Sequence, residues 1–228
     1  MGNKGNNRHV KRLASNRYVH VERKVCAYIS KPTAGRHSLD SSIAIATVLS
    51  EKLNLSSDMK ESKRIVNAGS VEVNGKLIKN VKFPVGFGDV LHFIPSNEYF
   101  RIIVARKGSV STEKIEKWDG RRVAKVIGKY KAKGNMEMVK LYDGSVLQSI
   151  KGVKVNDSVS IINGKADRVI KLEKGAKCLV INGLHASESG IISNIKPGTA
   201  LRAATVEIEG DAGKAETLLE NVMAIGRE

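Results

Sequence analysis

Residues 58–93 read DMKESKRIVNAGSVEVNGKLIKNVKFPVGFGDVLHF, and the order of elements in this stretch decides the fold. Asp58 stands where a helix N-cap belongs, with Glu61 three residues on, as in a capping box with Asp in place of Ser or Thr. Met59, Ile65, Val66 and Ala68 supply the apolar positions of the helix. Lys60, Lys63, Arg64 and Asn67 fall at i, i+3, i+4 and i+7, which places three cations and an amide on one face. Gly69 is the stop, because glycine takes the left-handed conformation after a helix without steric cost. Val71 and Val73 then alternate with polar residues, Asn74-Gly75 is the strongest short hairpin signal, and Leu77-Ile78 starts the return strand. A second turn at Gly86-Phe87-Gly88-Asp89 leads into an apolar strand at 90–93.

Helix, glycine, strand, Asn-Gly turn and Gly-Asp-Val strand, in that order, resemble the αL RNA-binding motif, a unit of two helices and a small curled sheet that grips folded RNA. The residues that carry the resemblance are Arg64-Ile65-Val66, Gly69, Val71, Val73-Asn74-Gly75 and Gly88-Asp89-Val90. A charge run alone would equally fit a compact α+β unit with a solvated basic helix face; the full ordered pattern favours RNA. Upstream, Ser41 or Ser42 caps a first helix running to about Leu53, with Ile45, Leu49 and Leu53 as its buried stripe. Residues 54–57 form a short link to the second helix, and the unit is expected to cover residues 41–94.

The whole chain is strongly basic. Its 228 residues hold 39 Lys+Arg against 23 Asp+Glu, a net charge of +16, which attracts polyanions, nucleic acid above all. A membrane surface is the rival, but no apolar run approaches the roughly 20 residues a span needs. Asn6 stands where a myristoylation signal wants Ser or Thr, and there is no secretory apolar segment. Cys26 and Cys178 form no CxxC pair, and both are expected as small buried residues in a reducing cytosol. Residues 1–40 carry nine Lys/Arg against Glu22 and Asp40. Their opening is too poor in apolar residues to form a core. Lys4, Arg8, His9, Lys11 and Arg12 therefore read as an arm that orders against phosphates, the alternative being a solubilising tail. Arg36 closes a loop at 31–37 with cationic ends.

Beyond Pro95 the texture changes to short strands cut by Gly and Lys, expected at 101–104, 122–127 and 138–142, with a hairpin turn at Asp143-Gly144. Residues 154–161 echo the Gly-Asp-Val element. This spacing predicts a strand-rich small barrel over 95–170. Trp118 is expected to pack in a core, and Lys129, Lys131 and Lys133 form a basic loop tip around Gly128 and Gly134. From 171 to 228 come strands at 177–181, 189–195 and 204–208. This unit resembles a KOW motif, a small SH3-like barrel hairpin, on Gly175, the run 178–181, Gly183, Gly190-Ile191-Ile192 and Asn194; Ser187 stands where relatives often carry a further Gly. Residues 203–228 carry six acids against Lys214 and Arg227, so this end is expected to face away from phosphate.

Arm, αL unit, strand-rich middle and terminal KOW-like unit together resemble the four-e family of small-subunit ribosomal proteins, found in archaea and eukaryotes. The blocks that carry the match include Arg8-His9-Val10-Lys11-Arg12, Lys31-Pro32-Thr33-Ala34-Gly35-Arg36-His37, Phe83-Pro84-Val85-Gly86-Phe87-Gly88-Asp89-Val90, Val155-Asn156-Asp157 and Ala224-Ile225-Gly226. Eukaryotic members continue past the last block, so the archaeal form is expected. The resemblance implies an α+β, mostly β protein of the cytoplasmic ribosome that binds ribosomal RNA beside neighbouring small-subunit proteins. It implies neither catalysis, cofactor, metal, small-molecule substrate nor membrane. RNA contacts are expected at the arm residues, Arg36, the face of Lys60, Lys63, Arg64 and Asn67, the turn residues Asn74 and Lys76, and Lys129, Lys131 and Lys133. Gly69, Gly75, Gly88, Gly183 and Gly190 are the motif glycines. The five histidines show no metal spacing and there is no phosphate-binding GxxxxGK[ST] loop. A KOW-bearing transcription or translation factor is the near alternative. An RNA-modifying enzyme with an αL domain is the remote one, since 95–228 offers too few strands for a catalytic domain.

Overall fold

Short alternating runs punctuated by left-handed glycines and asparagines build sheets of antiparallel strands, and three five-stranded sheets account for most of the chain. The computed structural model describes residues 9–150, 152–210 and 213–226. The first sheet runs Lys76–Leu77, Val71–Val73, Val90–Phe93, Glu98–Ala105, Ser109–Ile115. The second runs Val146–Gln148, Glu137–Leu141, Arg121–Lys131, Ser158–Ile162, Lys165–Ile170, and the third Gly213–Leu218, Thr205–Gly210, Ser189–Lys196, Lys177–Val180, Val222–Ala224. Two strands beyond Pro95 thus pair into the first sheet, so the expected middle unit 95–170 is shared between two sheets.

Two short helices cover the first sheet. The first, α1 (Ile45–Thr47), passes directly into a π-turn (Val48–Lys52), closed by the Leu53 amide donating to Val48 O at 3.0 Å. No serine caps it. Residues Ser42–Ala44, expected inside the helix, form a strand against Pro84–Gly86, because β-branched Ile43 there fills the core beside Val85. Ile45 and Leu49 are buried as expected, and Leu53 packs partly buried against the same core. The second helix, α2 (Met59–Asn67), buries Ser62 and Val66 and half-buries Ile65, whereas Met59 and Ala68 stay exposed. The buried serine is tolerated because its hydroxyl meets that of Ser56 at 2.7 Å.

In the second sheet, the long strand Arg121–Lys131 pairs with Ser158–Ile162 along its first half and with Glu137–Leu141 along its second. A bulge between Val126 and Gly128 marks the change of partner and bends the strand. The third sheet has the same device between Ile192 and Asn194. Each sheet encloses its own apolar cluster, and a fourth, of Val104, Ile181, Ala186 and Met223, lies where the three units meet. Trp118 is outside these clusters: half-buried, it lies over the Gly75 turn and donates its indole N–H to Arg121 O at 3.0 Å. Cys178 is buried but Cys26 is exposed, contrary to expectation, because its loop lies on the surface.

Buried charges tie the units together. Asp89, 1 % exposed, accepts from His37 Nε2 at 2.7 Å, Asn74 Nδ2 at 2.7 Å and Gly86 N–H at 3.1 Å, with Arg36 3.7 Å away. Burial pushes its carboxyl up, but the His37 bond and charge, Arg36 and Asn74 outweigh that and hold it below the usual range. Arg36 also pairs with Asp143 of the second sheet, as does Arg122, and Ser145 N–H and Oγ bond the same carboxylate. Asp143 is likewise driven well below the usual range, its two arginines prevailing over burial. The adjacent Gly144 has φ +76°, and a β-carbon there would overlap the carbonyl oxygen of Arg36. On the far side of the sheet Lys125, 2 % exposed, donates to the carbonyls of Leu219, Glu220 and Val222 at 2.6, 3.0 and 2.8 Å. Burial lowers its pKa to about 8, with Glu220 acting in the opposite direction, so it remains charged at neutral pH.

Two predictions follow from this joint. Gly144→Ala should destabilise the protein in urea unfolding by about 2 kcal/mol or more, because overlap adds to backbone strain. Gly134→Ala, equally left-handed at φ +80° but facing open space, should cost about 1 kcal/mol; equal costs would mean the Arg36 contact is not tight. Asp143→Asn should lower stability at pH 7 by about 3 kcal/mol, leaving two arginines short of their counter-charge. Both carboxyls titrate below their unfolded values, so their stabilisation is complete above about pH 4 and lost as the pH falls through the folded values. The gap between wild type and variant should therefore narrow below about pH 4; a constant gap down to acid unfolding would contradict this.

Candidate nucleic-acid interface

The α2 face is assembled locally. Glu61 reaches back to the Ser57 N–H (2.8 Å) and hydroxyl (3.0 Å), and these bonds hold its carboxyl below the usual range. Asp58 contributes its backbone carbonyl to Ser62 N–H at 3.0 Å, but its side chain makes no cap bond, so the expected capping box is displaced one residue toward Ser57. At the other end Gly69, φ +74°, donates to Val66 O and Ser70 donates to Ile65 O, the paired bonds of a Schellman stop. With Ser62 and Val66 turned inward, Lys60, Lys63, Arg64 and Asn67 all lie exposed on the outer face, and none of the three cations makes an ion pair among the described residues.

The turn beside it is of the mirror-image hairpin type, Asn74 and Gly75 having φ +51° and +73°. Lys76 is exposed. Asn74 is instead turned inward: besides bonding Asp89, its Oδ1 accepts the Val90 N–H at 3.0 Å. Its side chain is spent on locking this turn to the Gly88-Asp89-Val90 turn. Gly88, φ +83°, gives Asp89 its inward aim. Asn156-Asp157 repeats the device: Asn156 has φ +75°, and Asp157 accepts the Lys154 N–H at 2.8 Å, as Asp89 accepts that of Gly86.

The remaining expected contacts separate into outward and inward cations. Lys4 and Arg8 lie outside the described residues. His9 and Lys11 are exposed, His9 tilted against Tyr28 with centroids 5.9 Å apart. Arg12 is no phosphate-seeking arm residue here: 5 % exposed, it pairs with Glu51 of the π-turn and donates to Glu22 O, anchoring the arm to the core. Arg36 is similarly committed to Asp143 and Asp89. Lys129, Lys131 and Lys133 are exposed near the far end of the second sheet's hairpin, beside exposed Tyr130 and Met136. They lie on the strand end and the turn after it rather than on a loop alone. Gly183 is left-handed at φ +95°; Gly190 is required for space, since a β-carbon would stand 2.5 Å from Glu209 O. The inward partners Asp143, Arg122 and Lys125 had no local sequence signal beyond the Asp-Gly turn. Among the described residues no group of three or more metal-ligating side chains forms, and no helix is long and apolar enough to cross a membrane.

Comparison with known proteins agrees with this architecture. Residues 45–91 match the S4 domain, and residues 96–166 match ribosomal family S4e. The chain is 32% identical over 231 residues to the small ribosomal subunit protein eS4 of Methanosphaera stadtmanae, covering 100% of this chain and 96% of that protein. It is 33% identical over 222 residues to the same protein of Nanoarchaeum equitans, with 96% and 95% covered. The crystal structure of the 30S ribosomal protein S4e from Thermoplasma acidophilum is similar at a TM-score of 0.69 and 28% identity, covering 83% of this chain and 97% of that one. With likeness extending from the arm through all three sheets, the chain belongs to the eS4 family of small ribosomal subunit proteins.

Proposed function

We propose that this chain is a structural protein of the small ribosomal subunit that holds folded ribosomal RNA through the outer face of α2. The observation that carries the reading is the set of three exposed cations, Lys60, Lys63 and Arg64, without an ion pair among the described residues, on the helix of a matched S4 domain. Folded RNA is gripped largely through its phosphates and shape, which a rigid cationic helix suits. Asn67, Lys76, Lys11 and His9, and the exposed Lys129, Lys131 and Lys133, extend the basic surface. Lys4 and Arg8 complete the arm in this reading. The parts divide as arm 1–40, αL unit 41–94, middle 95–170, whose first two strands join the αL unit's sheet, and terminal KOW-like barrel 171–228. The five antiparallel strands, bulged corner and Gly190 crossing support the last assignment. The acidic end of that barrel, where Lys196 is already neutralised by Glu207 and Glu216, faces neighbouring small-subunit proteins rather than phosphate. The work is done by binding alone, without chemistry on the RNA.

Lys63→Glu with Arg64→Glu tests this directly, because neither side chain fills the core. Thermal unfolding should stay within a few degrees of wild type, exposed changes costing under about 0.5 kcal/mol each. Binding to small-subunit ribosomal RNA should weaken, and the log–log salt slope should fall by roughly 1.4–1.8 for two lost phosphate contacts. If the double variant binds with wild-type affinity and slope, α2 does not face RNA.

A further inference from the structure

We infer that the cleft between the arm, the first sheet's outer hairpin and the middle sheet is a second RNA site, one that takes the sugar–phosphate backbone through Arg17, Lys107 and Lys140. The cleft has a volume of about 700 Å³ and is lined from all three units. Arg17 enters from the arm, Lys107 from the tip joining Glu98–Ala105 to Ser109–Ile115, and Lys140 from the second sheet; all three are exposed. None makes an ion pair among the described residues, whereas Arg36 in the same wall is taken up by Asp143 and Asp89. The one carboxylate in the lining, Asp40, is occupied by Asn16 Nδ2 at 3.3 Å, with its backbone carbonyl bonded by the same amide at 2.9 Å.

Two features of the lining favour a nucleic-acid backbone over an acidic polypeptide. Of the neutral polar lining, Asn16 is taken up by Asp40 and the Tyr18 N–H, but the Asn182 amide nitrogen and the hydroxyls of Ser38 and Ser41, which share one hydrogen bond between them, leave donors and acceptors suited to phosphate oxygens and 2′-hydroxyls. Apart from Ile127, the large apolar side chains of the lining are at least partly buried in the floor, which leaves little shelf for the side chains of a peptide. Lys107 is held at φ +63°, a conformation a lysine seldom adopts, so the hairpin tip sets the backbone from which its side chain reaches the cleft. The Gly108 backbone beside it packs near Asn182 and Ala186 of the third unit. An RNA strand in the cleft would therefore touch every unit at once and depend on their assembled arrangement. The inference rests on the RNA-binding reading above and adds a site to it.

Lysine footprinting of the wild-type protein tests it without any risk of misfolding. The protein is acetylated with a water-soluble reagent, alone and saturated with small-subunit ribosomal RNA, and each lysine is quantified by mass spectrometry. Lys107 and Lys140 should be protected several-fold by RNA, together with Lys63, while Lys214, 83 % exposed in the acidic end, should not change. Protection of Lys63 without Lys107 and Lys140 overturns the cleft and leaves the function standing. Protection of none of them overturns both. Protection of Lys107 and Lys140 by poly-glutamate and not by RNA overturns the inference in favour of an acidic polypeptide. As a second measurement, Arg17→Glu with Lys107→Glu and Lys140→Glu should lower the salt slope by roughly 2–3 beyond any effect at α2; an unchanged slope also overturns it.

Discussion

A carboxylate taken out of water must be matched, at a cost of several kcal/mol if it is not, and Asp89 is the carboxylate on which this molecule turns. It lies at the start of the central strand of the first sheet, and its acceptor positions draw in His37, Asn74 and the Gly86 amide from three separate segments. Arg36, brought alongside, reaches on to Asp143 and so carries the constraint into the second sheet. Lys125 performs the complementary task toward the third, its ammonium satisfied by three carbonyls of the Leu219–Val222 segment. Apolar contact at Val104, Ile181, Ala186 and Met223 supplies adhesion between the units, but apolar contact is non-directional; the paired charges fix the register.

The consequence for function is a division among the cations. Arg12, Arg36, Arg122 and Lys125 are consumed internally, each by a partner distant in sequence. Part of the positive charge that remains is displayed on α2, on the second sheet's hairpin and around the cleft, on elements whose other faces are packed. A rigid display matters because phosphate recognition is geometric: long side chains lose less freedom on binding when the backbone beneath them is already fixed.

Much of this was legible in the sequence, and the rest was not for a consistent reason. The α2 span, the Gly69 stop, the Asn74-Gly75 hairpin and most strands of the sheets declare themselves in local chemistry, because capping, left-handed residues and alternation act within a few positions. Failures occur where a distant partner overrules local preference. Ser42–Ala44 looks like a helix start, yet pairing with Pro84–Gly86 makes it a strand. Arg12 and Arg36 look like phosphate ligands until Glu51 and Asp143 arrive from 39 and 107 residues away. Asn74 was rightly placed in a turn, but its amide belongs to Asp89. Lys125 sits in RRVAKVIGK like any strand lysine, and nothing nearby announces three carbonyls from the last thirty residues. Even Ser62, a polar residue on the apolar side of α2, relies on Ser56 opposite as well as on the Asp58 carbonyl at the start of its own helix.

Amide hydrogen exchange on Asp89→Asn, compared with wild type at neutral pH, tests the central role of this carboxylate most directly. The protection of Gly86, Val90 and the Asn74 turn should fall together with that of the Arg36-His37 loop and the Tyr142–Ser145 turn across the joint, while strands Lys177–Val180 and Thr205–Gly210 keep theirs. Loss confined to the immediate neighbours of residue 89, with the Tyr142–Ser145 turn as protected as before, would contradict the account.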